Sequence, residues 1–316
     1  MVRQSKMTYT PPWYLFNKHL ETIYPTIFRK VIIRSSTPER IITNDNDFID
    51  LDIYDIRSNK TVVLSHGLEG NSRKSYITGM TNILLEAGFN CVAWNFRGCS
   101  GTSNNYPYSY HSGATQDLDY VVRIIENKFP ESDLYLIGFS LGGNLTLKYL
   151  GENSLDSKIK KAVAISTPLD LYKSCLEISK SSNWIYSKRF LFTLKRKITG
   201  KAKLFPKEIN LAGLKKISNL LDFDDRYTAP LHGFKDALDY YTQCSSIYFL
   251  DKIKVPTLII NALNDPFLSK ECYPDNINSS YITYDYPFFG GHLGFKMSGI
   301  ENKYYHEIKS LEFISM

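Results

Sequence analysis

Short apolar runs alternate with longer amphipathic runs through the first half of this chain. Residues 61–65, 90–96 and 134–137 are almost continuously apolar and are bounded by turn-forming residues, which is typical of strands covered on both faces. Residues 76–87 and 114–127 carry apolar positions at helical spacing. This alternation of buried strands with helices predicts an α/β fold, a mostly parallel sheet with helices on both faces.

The N-terminal part of the chain has a weaker pattern. Residues 1–30 mix aromatic, proline and polar residues without a clear period, so we expect an arm that packs on the domain surface and takes no part in catalysis. Residues 30–35 and 48–56 carry apolar clusters around turn-forming residues at Thr37 and at 44–47. This arrangement predicts that the sheet opens with antiparallel strands.

A long interruption follows the sixth predicted strand, residues 161–166. The pattern of residues 169–250 predicts several helices, and we expect breaks between them at Gly200, Pro206 and Pro230. Strands resume at 257–262. Helices inserted between two strands of such a sheet predict a cap. The predicted organisation is an arm at 1–30, a core at 31–168 and 251–316, and an inserted helical cap at 169–250.

Length and cysteine content limit the class of protein. With 316 residues, the chain is long enough for one large α/β domain with an insertion. It contains no run of about 18 apolar residues and no secretory signal, so we expect a soluble protein without a leading membrane anchor. The five cysteines are widely spaced and form no CxxC pair, which argues against a disulfide framework and a zinc site. We therefore expect a cytoplasmic protein.

The positive charge is concentrated in the predicted cap. The net charge is +6, yet residues 171–220 contain twelve Lys or Arg residues against two acids. No nucleic-acid recognition motif accompanies this patch, so we expect no nucleic-acid partner. Between 184 and 197 the cations are interleaved with aromatic and aliphatic residues, which suits a lid that contacts acyl chains on one side and an anionic membrane surface on the other. The alternative is an ordinary solvated, lysine-rich helix face.

A nucleophile elbow is the clearest chemical motif in the chain. Gly138-Phe139-Ser140-Leu141-Gly142 follows a predicted strand and precedes a helical run. In a G-x-S-x-G turn of this kind the serine is held in a strained backbone conformation that exposes its hydroxyl. The glycines leave room for the neighbouring strand and helix. We therefore predict that Ser140 is the nucleophile of a hydrolase.

A serine nucleophile needs a histidine base and a carboxylate that orients it, in the chain order Ser, Asp, His for an elbow of this type. Asp265 directly follows the strand at 257–262 and precedes a proline. His292 lies between glycines in the loop after the last predicted strand, residues 281–286. The C-terminal ends of parallel strands meet at one edge of a sheet. The sequence therefore predicts a catalytic triad of Ser140, Asp265 and His292.

The predicted oxyanion hole combines two loops. His66 and Gly67 come directly after the third predicted strand, where hydrolases with this kind of elbow place a loop that completes the oxyanion hole. We predict the backbone N–H of Leu68 as one donor. The second is the N–H of Leu141, at the start of the helix that follows the serine. His66 is expected to brace this loop rather than to act as the base.

Other reactive or charged residues have ordinary structural explanations. Cys99 lacks an adjacent base and ranks below the elbow serine as a nucleophile. Arg97 either binds an anionic group or pins its loop through a salt bridge, and we favour the salt bridge. The cluster Asp222, Asp224 and Asp225 is not followed by a glycine-bearing calcium loop, so we expect these acids to cap helices or to form salt bridges. No metal and no cofactor are expected.

A set of motifs spread along the chain forms a specific combination. They are His19 with residues 22–25, and residues 66–70, 95–101, 110–113, 140–144, 148–151, 227–234, 264–267 and 291–292. With this combination the chain resembles, over nearly its whole length, the YheT-like branch of the α/β hydrolases. That branch includes bacterial predicted esterases, fungal medium-chain ethyl ester synthase/esterases and animal lipid hydrolases.

The resemblance implies the α/β-hydrolase fold and assigns the triad to Ser140, Asp265 and His292. Phe288 and Phe289 depart from the more polar lead-in of the relatives, which affects the detail of the histidine loop. We therefore expect a serine hydrolase that cleaves small-molecule carboxylic esters, of short- to medium-chain acyl groups or of lipids, through an acyl-enzyme. Two alternatives stay open: an alcohol O-acyltransferase with the same triad, and a non-catalytic lipid-binding protein on the same fold.

Overall fold

The centre of the fold is one eight-stranded sheet. The computed structural model describes residues 9–152, 158–274, 279–300 and 302–316. The strands are β1 (Thr37–Ile42), β2 (Phe48–Tyr54), β3 (Lys60–Ser65), β4 (Asn90–Asn95), β5 (Asp133–Phe139), β6 (Ile159–Ile165), β7 (Thr257–Ile260) and β8 (Ile282–Asp285). They lie in the order β1-β2-β4-β3-β5-β6-β7-β8. The pairs β1-β2 and β2-β4 are antiparallel and the other neighbours are parallel, which confirms the predicted mostly parallel sheet.

Helices cover the sheet and fill the connection between β6 and β7. They are α1 (Lys18–Phe28), α2 (Ser75–Glu86), α3 (Thr115–Lys128), α4 (Leu141–Glu152), α5 (Leu171–Ile178), α6 (Trp184–Leu204), α7 (Leu220–Phe223), α8 (Ala229–Leu231), α9 (Ala237–Cys244) and α10 (Tyr305–Ser315). A π-helical turn, Asp224–Thr228, joins α7 to α8. None of the helices in the described ranges combines the length and the apolar character needed to cross a bilayer. We call residues 166–256 the β6–β7 segment.

Alternation of side chains along the strands divides the core into two layers. Val62 and Leu64 of β3 pack in one layer with Met80 and Leu84 of α2, whereas Val63 packs in the other layer with side chains of α3 and α4. All five side chains are fully buried. Because successive residues of a strand point to opposite faces, a strand covered on both faces has to be apolar at every position. The continuous apolar runs are thereby explained.

The β6–β7 segment builds a third apolar cluster of its own. Leu171 of α5, Leu191 and Ile198 of α6, and Tyr240 and Tyr241 of α9 are buried together in it. The predicted cap at 169–250 falls within this segment, and its limits as a separate domain stay a prediction.

Two of the expected helix breaks in the β6–β7 segment are wrong. Gly200 lies inside α6, which is 21 residues long, and Pro230 lies in the first turn of α8. Glycine inside a helix costs about 1 kcal/mol relative to alanine, a cost that the packing of α6 offsets. Proline needs no N–H acceptor in a first turn and so starts a helix readily. The break at Pro206 is confirmed, because α6 ends at Leu204.

The first strand lies later in the chain than expected. It is β1 at Thr37–Ile42 rather than residues 30–35, and it pairs with β2 across a turn in which Asn46 has a φ of 62°. Thr37 therefore begins a strand instead of forming a turn. Pro38 is tolerated because β1 is an edge strand, where a missing N–H leaves no ladder bond unmade.

Part of the predicted N-terminal arm is helical. Helix α1 begins after Asn17, whose side chain accepts hydrogen bonds from the backbone N–H groups of His19 and Leu20. Pro25 lies inside α1. Because proline usually ends a helix, the sequence pattern did not predict a helix here. Residues 1–8 of the arm lie outside the described residues.

Candidate active site

Ser140 is held in the strained turn between β5 and α4. Its φ is 53°, in the left-handed region that costs free energy for a residue with a side chain. Its N–H donates to the carbonyl oxygen of Ile165 at 2.8 Å, and its carbonyl oxygen accepts from Gly143 and Asn144 at 2.9 and 3.1 Å. A side chain at Gly142 would meet the carbonyl oxygen of His66 at 2.5 Å. The surrounding backbone therefore fixes the turn, as the motif predicts.

The structure brings the three predicted triad side chains together. Nε2 of His292 lies 3.0 Å from Oγ of Ser140, although the two residues are 152 positions apart in the chain. Nδ1 of His292 lies 2.9 Å from Oδ2 of Asp265, and Oδ1 of Asp265 accepts from the N–H of Phe267 at 2.9 Å. The Asp265 side chain is fully buried and that of His292 is 9% exposed. The arrangement can pass a proton from the serine hydroxyl to an imidazole oriented by a carboxylate.

Tertiary contacts hold the loop that carries His292. Gly291 has a φ of 52° and Leu293 a φ of 59°. A side chain at Gly291 would meet Oγ1 of Thr22 at 2.6 Å, so α1 packs directly against this loop. Four consecutive backbone N–H groups of the loop donate to side chains from distant parts of the chain: Gly290 to Glu21 at 2.7 Å, Gly291 to Asn264 at 2.9 Å, His292 to Thr22 at 2.9 Å and Leu293 to Ser166 at 3.0 Å.

The residues that support the loop of His292 were not predicted from the sequence. Glu21 and Thr22 lie in the arm that was expected only to pack on the domain surface, yet both contact the loop of His292. Thr22 belongs to one of the motifs shared with the YheT-like branch, and this motif was the only sequence feature that could have pointed to a role for Thr22. Nothing in the local sequence distinguishes Glu21 from a solvated helix acid, yet it is 1% exposed.

The two predicted oxyanion donors are available at the site. Gly67 donates its N–H to the hydroxyl of Tyr76 at 3.1 Å, and Glu69 donates its N–H to the hydroxyl of Tyr110 at 2.8 Å. Within the described part of the chain, the N–H of Leu68, between them, has no protein acceptor, and neither has the N–H of Leu141. A side chain at Gly67 would lie 3.1 Å from Cβ of Ser140. The Leu68 loop thus lies against Ser140, with one amide in the described residues left free for a ligand.

His66 braces the Leu68 loop, as predicted. It is fully buried, its Nε2 accepts from the N–H of Phe96 at 3.1 Å, and its Nδ1 lies 2.7 Å from the carbonyl oxygen of Gly67. Since a backbone N–H can only donate, Nε2 is unprotonated and Nδ1 carries the proton that binds the carbonyl. Burial lowers the pKa of His66 to about 3, so the ring is neutral at physiological pH.

A cavity of about 150 Å³ opens beside Ser140 and His292. A single buried water needs only about 10–15 Å³ by this measure, so the cavity accommodates a larger ligand. Its wall combines Leu68 and Leu141 with apolar side chains of the β6–β7 segment, namely Leu171, Ile178, Phe190, Leu194, Leu220 and Phe223. The site therefore offers an apolar chamber next to Ser140.

Helix α6 also brings cations to the cavity. Nζ of Lys197 donates to Oε1 of Glu69 at 2.5 Å and lies 3.3 Å from Sγ of Cys99. Nζ of Lys201 donates to the backbone and side-chain oxygens of Asn104, and burial lowers its pKa to about 8. Both lysines line the cavity. The basic patch is therefore divided, with these two cations turned inward.

The remaining candidates have structural partners. Arg97 forms ion pairs with Asp45, Asp47 and Asp117 at 2.7, 2.9 and 2.8 Å, which confirms that it pins its loop. Burial raises the pKa of the Cys99 thiol to about 11, so it is not a thiolate at neutral pH.

The predicted acid cluster consists of capping and hydrogen-bonding residues. Asp222 and Asn219 exchange hydrogen bonds at the start of α7. Asp224 accepts from the hydroxyls of Thr228 and Tyr241 at 2.6 Å each. Throughout the described ranges, no three His, Cys, Asp or Glu side chains are grouped as a metal site requires.

Comparisons with known proteins agree with this geometry. A family described as "alpha/beta hydrolase fold" matches residues 60–279. The putative esterase YheT of Escherichia coli K12 is 34% identical over 286 residues, which cover 88% of this chain and 84% of that protein. The medium-chain fatty acid ethyl ester synthase/esterase 2 of Saccharomyces cerevisiae is 30% identical over 287 residues, 82% of this chain and 62% of that protein.

Among solved structures, an esterase of Pyrococcus furiosus aligns with a TM-score of 0.60 at 17% identity, over 99% of this chain and 98% of that one. At this identity the likeness concerns the fold. With a family match over most of the chain and a bacterial relative above 30% identity, the chain belongs to the α/β-hydrolase fold family and, within it, to the YheT-like branch of esterase/lipase-type enzymes.

Proposed function

We propose that the protein is a serine hydrolase that cleaves carboxylic esters with Ser140, His292 and Asp265 as its catalytic triad. The observation that supports this proposal most directly is the chain of contacts from Oγ of Ser140 to Nε2 of His292, at 3.0 Å, and from Nδ1 of His292 to Oδ2 of Asp265, at 2.9 Å. This geometry suits general-base activation of a hydroxyl.

The reaction proceeds through an acyl-enzyme. Oγ of Ser140 attacks the ester carbonyl carbon while Nε2 of His292 takes the hydroxyl proton. The tetrahedral intermediate collapses with loss of the alcohol, which receives that proton from Nε2. Water then attacks the acyl-enzyme with His292 again as the base, and the carboxylic acid leaves as Ser140 regains its proton. Asp265 accepts a hydrogen bond from Nδ1–H and stabilises the imidazolium formed in each half.

Two backbone amides stabilise the negative oxygen of each intermediate. The N–H groups of Leu68 and Leu141 have no protein acceptor in the described residues, and both residues line the cavity beside Ser140. Donors that are already oriented cost nothing to reorganise when charge develops, and each contributes about 3–4 kcal/mol.

The substrates are esters of short- to medium-chain acyl groups or of lipids. The apolar wall formed by α5, α6 and α7 supports this substrate class, because it offers an acyl chain a surface free of competing water. Medium-chain fatty acid esters also appear in the name of the yeast relative. A panel of esters from acetyl to palmitoyl tests the assignment, and turnover that rises with chain length into the medium range is the expected result.

Labelling with a fluorophosphonate probe tests the triad. We expect the wild type to carry one adduct, on Ser140, and Ser140→Ala to lose both the adduct and the esterase activity, because only an activated hydroxyl attacks the probe. Ser132, a buried serine whose hydroxyl lies 2.8 Å from that of Thr61 in β3, provides a matched control, since Ser132→Ala leaves the Ser140 hydroxyl and the loop of His292 in place. Modification of another residue, or wild-type turnover by Ser140→Ala, contradicts the proposal. Inertness of the wild type toward every ester and toward the probe favours a non-catalytic lipid-binding protein.

Alcohol acyl transfer is the alternative activity of the same residues. The yeast relative is named as a synthase as well as an esterase, and an acyl-enzyme accepts an alcohol by the same attack that water makes. Product analysis with ethanol in the reaction separates the two activities. Ethyl ester as the main product identifies an acyltransferase, whereas free acid identifies a hydrolase.

Transient contact with an anionic membrane surface is supported by the outward face of α6. Trp184, Ile185 and Phe192 are 54%, 51% and 70% exposed, and Lys188 and Arg189 are exposed between them. The helix contains seven Lys or Arg residues and no acid. Exposed aromatic and aliphatic residues among cations suit the headgroup region of anionic lipid.

Sedimentation with phosphatidylglycerol vesicles tests this contact. We expect the double substitution Lys188→Gln with Arg189→Gln to weaken binding, because each cation near an anionic surface contributes about 1 kcal/mol. Lys160→Gln, which removes an exposed cation of β6, should leave binding unchanged. Equal binding to neutral phosphatidylcholine vesicles contradicts an electrostatic contact.

The proposed location of the protein is the cytoplasm. Five unpaired cysteine thiols support this proposal, because a reducing compartment keeps thiols from forming disulfides.

A further inference from the structure

The loop of His292 depends on helix α1 for its position. Its backbone cannot form a helix or strand ladder, because φ is 142° at Gly290 and 52° at Gly291, so its N–H groups need acceptors from elsewhere. Helix α1 supplies two of them, the carboxylate of Glu21 for Gly290 and the hydroxyl of Thr22 for His292. Helix α1, from the first part of the described chain, thus holds the loop of His292 in the last part.

Glu21 joins the acid loop to the histidine loop. A single oxygen, Oε2, accepts from the N–H of Gly290 at 2.7 Å and from the side-chain amide of Asn264 at 2.9 Å. Oδ1 of Asn264 in turn accepts from the N–H of Gly291 at 2.9 Å. Asn264 directly precedes Asp265. The carboxylate of Glu21 therefore fixes the spacing between the orienting acid and the imidazole that it orients.

Thr22 fixes the residue of the base itself. Its hydroxyl donates to the carbonyl oxygen of Lys18 at 2.7 Å, so its lone pairs are directed to the N–H of His292, at 2.9 Å. The backbone of α1 also packs closely against this loop, since a side chain at Gly291 would meet the carbonyl oxygen of Lys18 at 2.8 Å. A shift of α1 by even one ångström would therefore displace the backbone of His292.

We propose that Glu21 and Thr22 are positioning residues that hold the imidazole of His292 between Asp265 and Ser140. The inference rests on the proposed function, because it assigns them a part in that triad. Neither side chain contacts the nucleophile. They act through the backbone of residues 290–292, and helix α1 is thereby part of the active site although it lies before the matched family region, residues 60–279.

Isosteric substitutions at Thr22 test the proposal with little risk to folding. Thr22→Val keeps the shape but leaves the N–H of His292 without its acceptor, whereas Thr22→Ser keeps the hydroxyl. We expect Thr22→Val to lower kcat about 10- to 100-fold with KM nearly unchanged, because a displacement of about 1 Å costs on that order. Thr22→Ser should retain kcat within about threefold of the wild type.

Substitutions at Glu21 provide an independent comparison. Glu21→Gln retains an oxygen that can occupy the place of Oε2, so we expect it to retain most of the wild-type kcat. Glu21→Ala removes that acceptor and should lower kcat about 10- to 100-fold. Asp52→Ala is the matched control, because Asp52 is a carboxylate 5% exposed that accepts from the hydroxyls of Ser36 and Ser72 at 2.7 and 2.5 Å and contacts no residue of the histidine loop.

The outcomes separate this inference from the proposed function. A wild type that hydrolyses esters and is labelled at Ser140, together with normal kcat in Thr22→Val and Glu21→Ala, overturns the positioning role alone. Loss of kcat in the control Asp52→Ala as large as in Glu21→Ala also overturns it, because the effect would then follow general stability. A wild type without activity and without labelling overturns the proposed function instead. Selective loss of kcat in Thr22→Val and Glu21→Ala, with recovery in Thr22→Ser and Glu21→Gln, supports the inference.

Discussion

Ser140 and His292 meet at 3.0 Å, but the chain holds these two side chains by different means. Ser140 is fixed by backbone hydrogen bonds with its own helix and the neighbouring β6, and by glycines that admit no side chain. The loop of His292 is fixed by side chains, those of Glu21, Thr22, Asn264 and Ser166. In the proposed triad, the nucleophile half is thus specified mainly by local sequence, and the base half by contacts between distant segments. The first should be sensitive to added volume and the second to lost hydrogen-bond acceptors.

The largest effect is expected in the base half, from the loss of the orienting charge. Asp265→Asn keeps the size of the side chain and can still accept from the N–H of Phe267, but it no longer stabilises the imidazolium or selects the tautomer of His292. We expect kcat to fall about 10⁴-fold while the fold is retained. Steady-state kinetics with a soluble ester, together with circular dichroism, measure both properties. Turnover within tenfold of the wild type would show that the carboxylate does not act as proposed.

Added volume in the nucleophile half should affect stability. Gly142→Ala directs a methyl group at the carbonyl oxygen of His66, 2.5 Å away, so we expect the free energy of unfolding to fall by about 3 kcal/mol. Gly200→Ala is the matched control in α6, where a side chain has open space, and it should raise stability by about 0.5–1 kcal/mol. Urea denaturation measures both. A stability of Gly142→Ala equal to that of Gly200→Ala would show that the turn of Ser140 is not restricted by volume.

His66, the brace of the Leu68 loop, should make the nucleophile half sensitive to acid. Burial lowers the pKa of His66 to about 3, against about 6.5 in an unfolded chain. Between these values the unfolded protein binds more protons, so the contribution of His66 is complete above pH 6.5 and is lost as the pH falls towards 3. At pH 5 the loss amounts to about 2 kcal/mol.

Urea denaturation of the wild type and of His66→Gln at pH 7.5 and pH 5 measures this contribution. His111, whose pKa burial also lowers to about 3, keeps its own contribution in both proteins, so the difference between their pH dependences isolates His66. The variant should lose about 2 kcal/mol less than the wild type between these pH values. An identical pH dependence would mean that His66 is not a neutral buried brace.

The difference between the halves also explains what the sequence could predict. The elbow and the strand before it depend on residues within a few positions of one another, so a local pattern was sufficient to predict both. Asp265 and His292 could be predicted because parallel strands end at one edge of the sheet. The structure brings these predicted side chains together, and their catalytic roles remain proposals.

The support of the base could not be predicted in the same way. Glu21 and Gly290 are 269 positions apart, and no periodicity relates residues at such a distance. Pro25 concealed the helix that carries Glu21, and the aromatic residues around it resembled an irregular arm. At Gly200 the error was a predicted helix break that the structure does not contain. Glycine often ends helices, but it is tolerated here because the rest of α6 is well packed. Local propensity failed wherever tertiary packing decided the result.

The wide separation of Glu21 from the loop that it supports sets an order of assembly. Contacts between residues far apart in sequence form late, after the chain entropy of closing the intervening loop has been overcome. A nascent chain that has left the ribosome as far as β6 already contains the strained serine and the strands on either side of it. It still lacks the carboxylate and the imidazole, so on the proposed mechanism the hydroxyl remains unreactive until the loop of His292 has been made and has folded back onto α1.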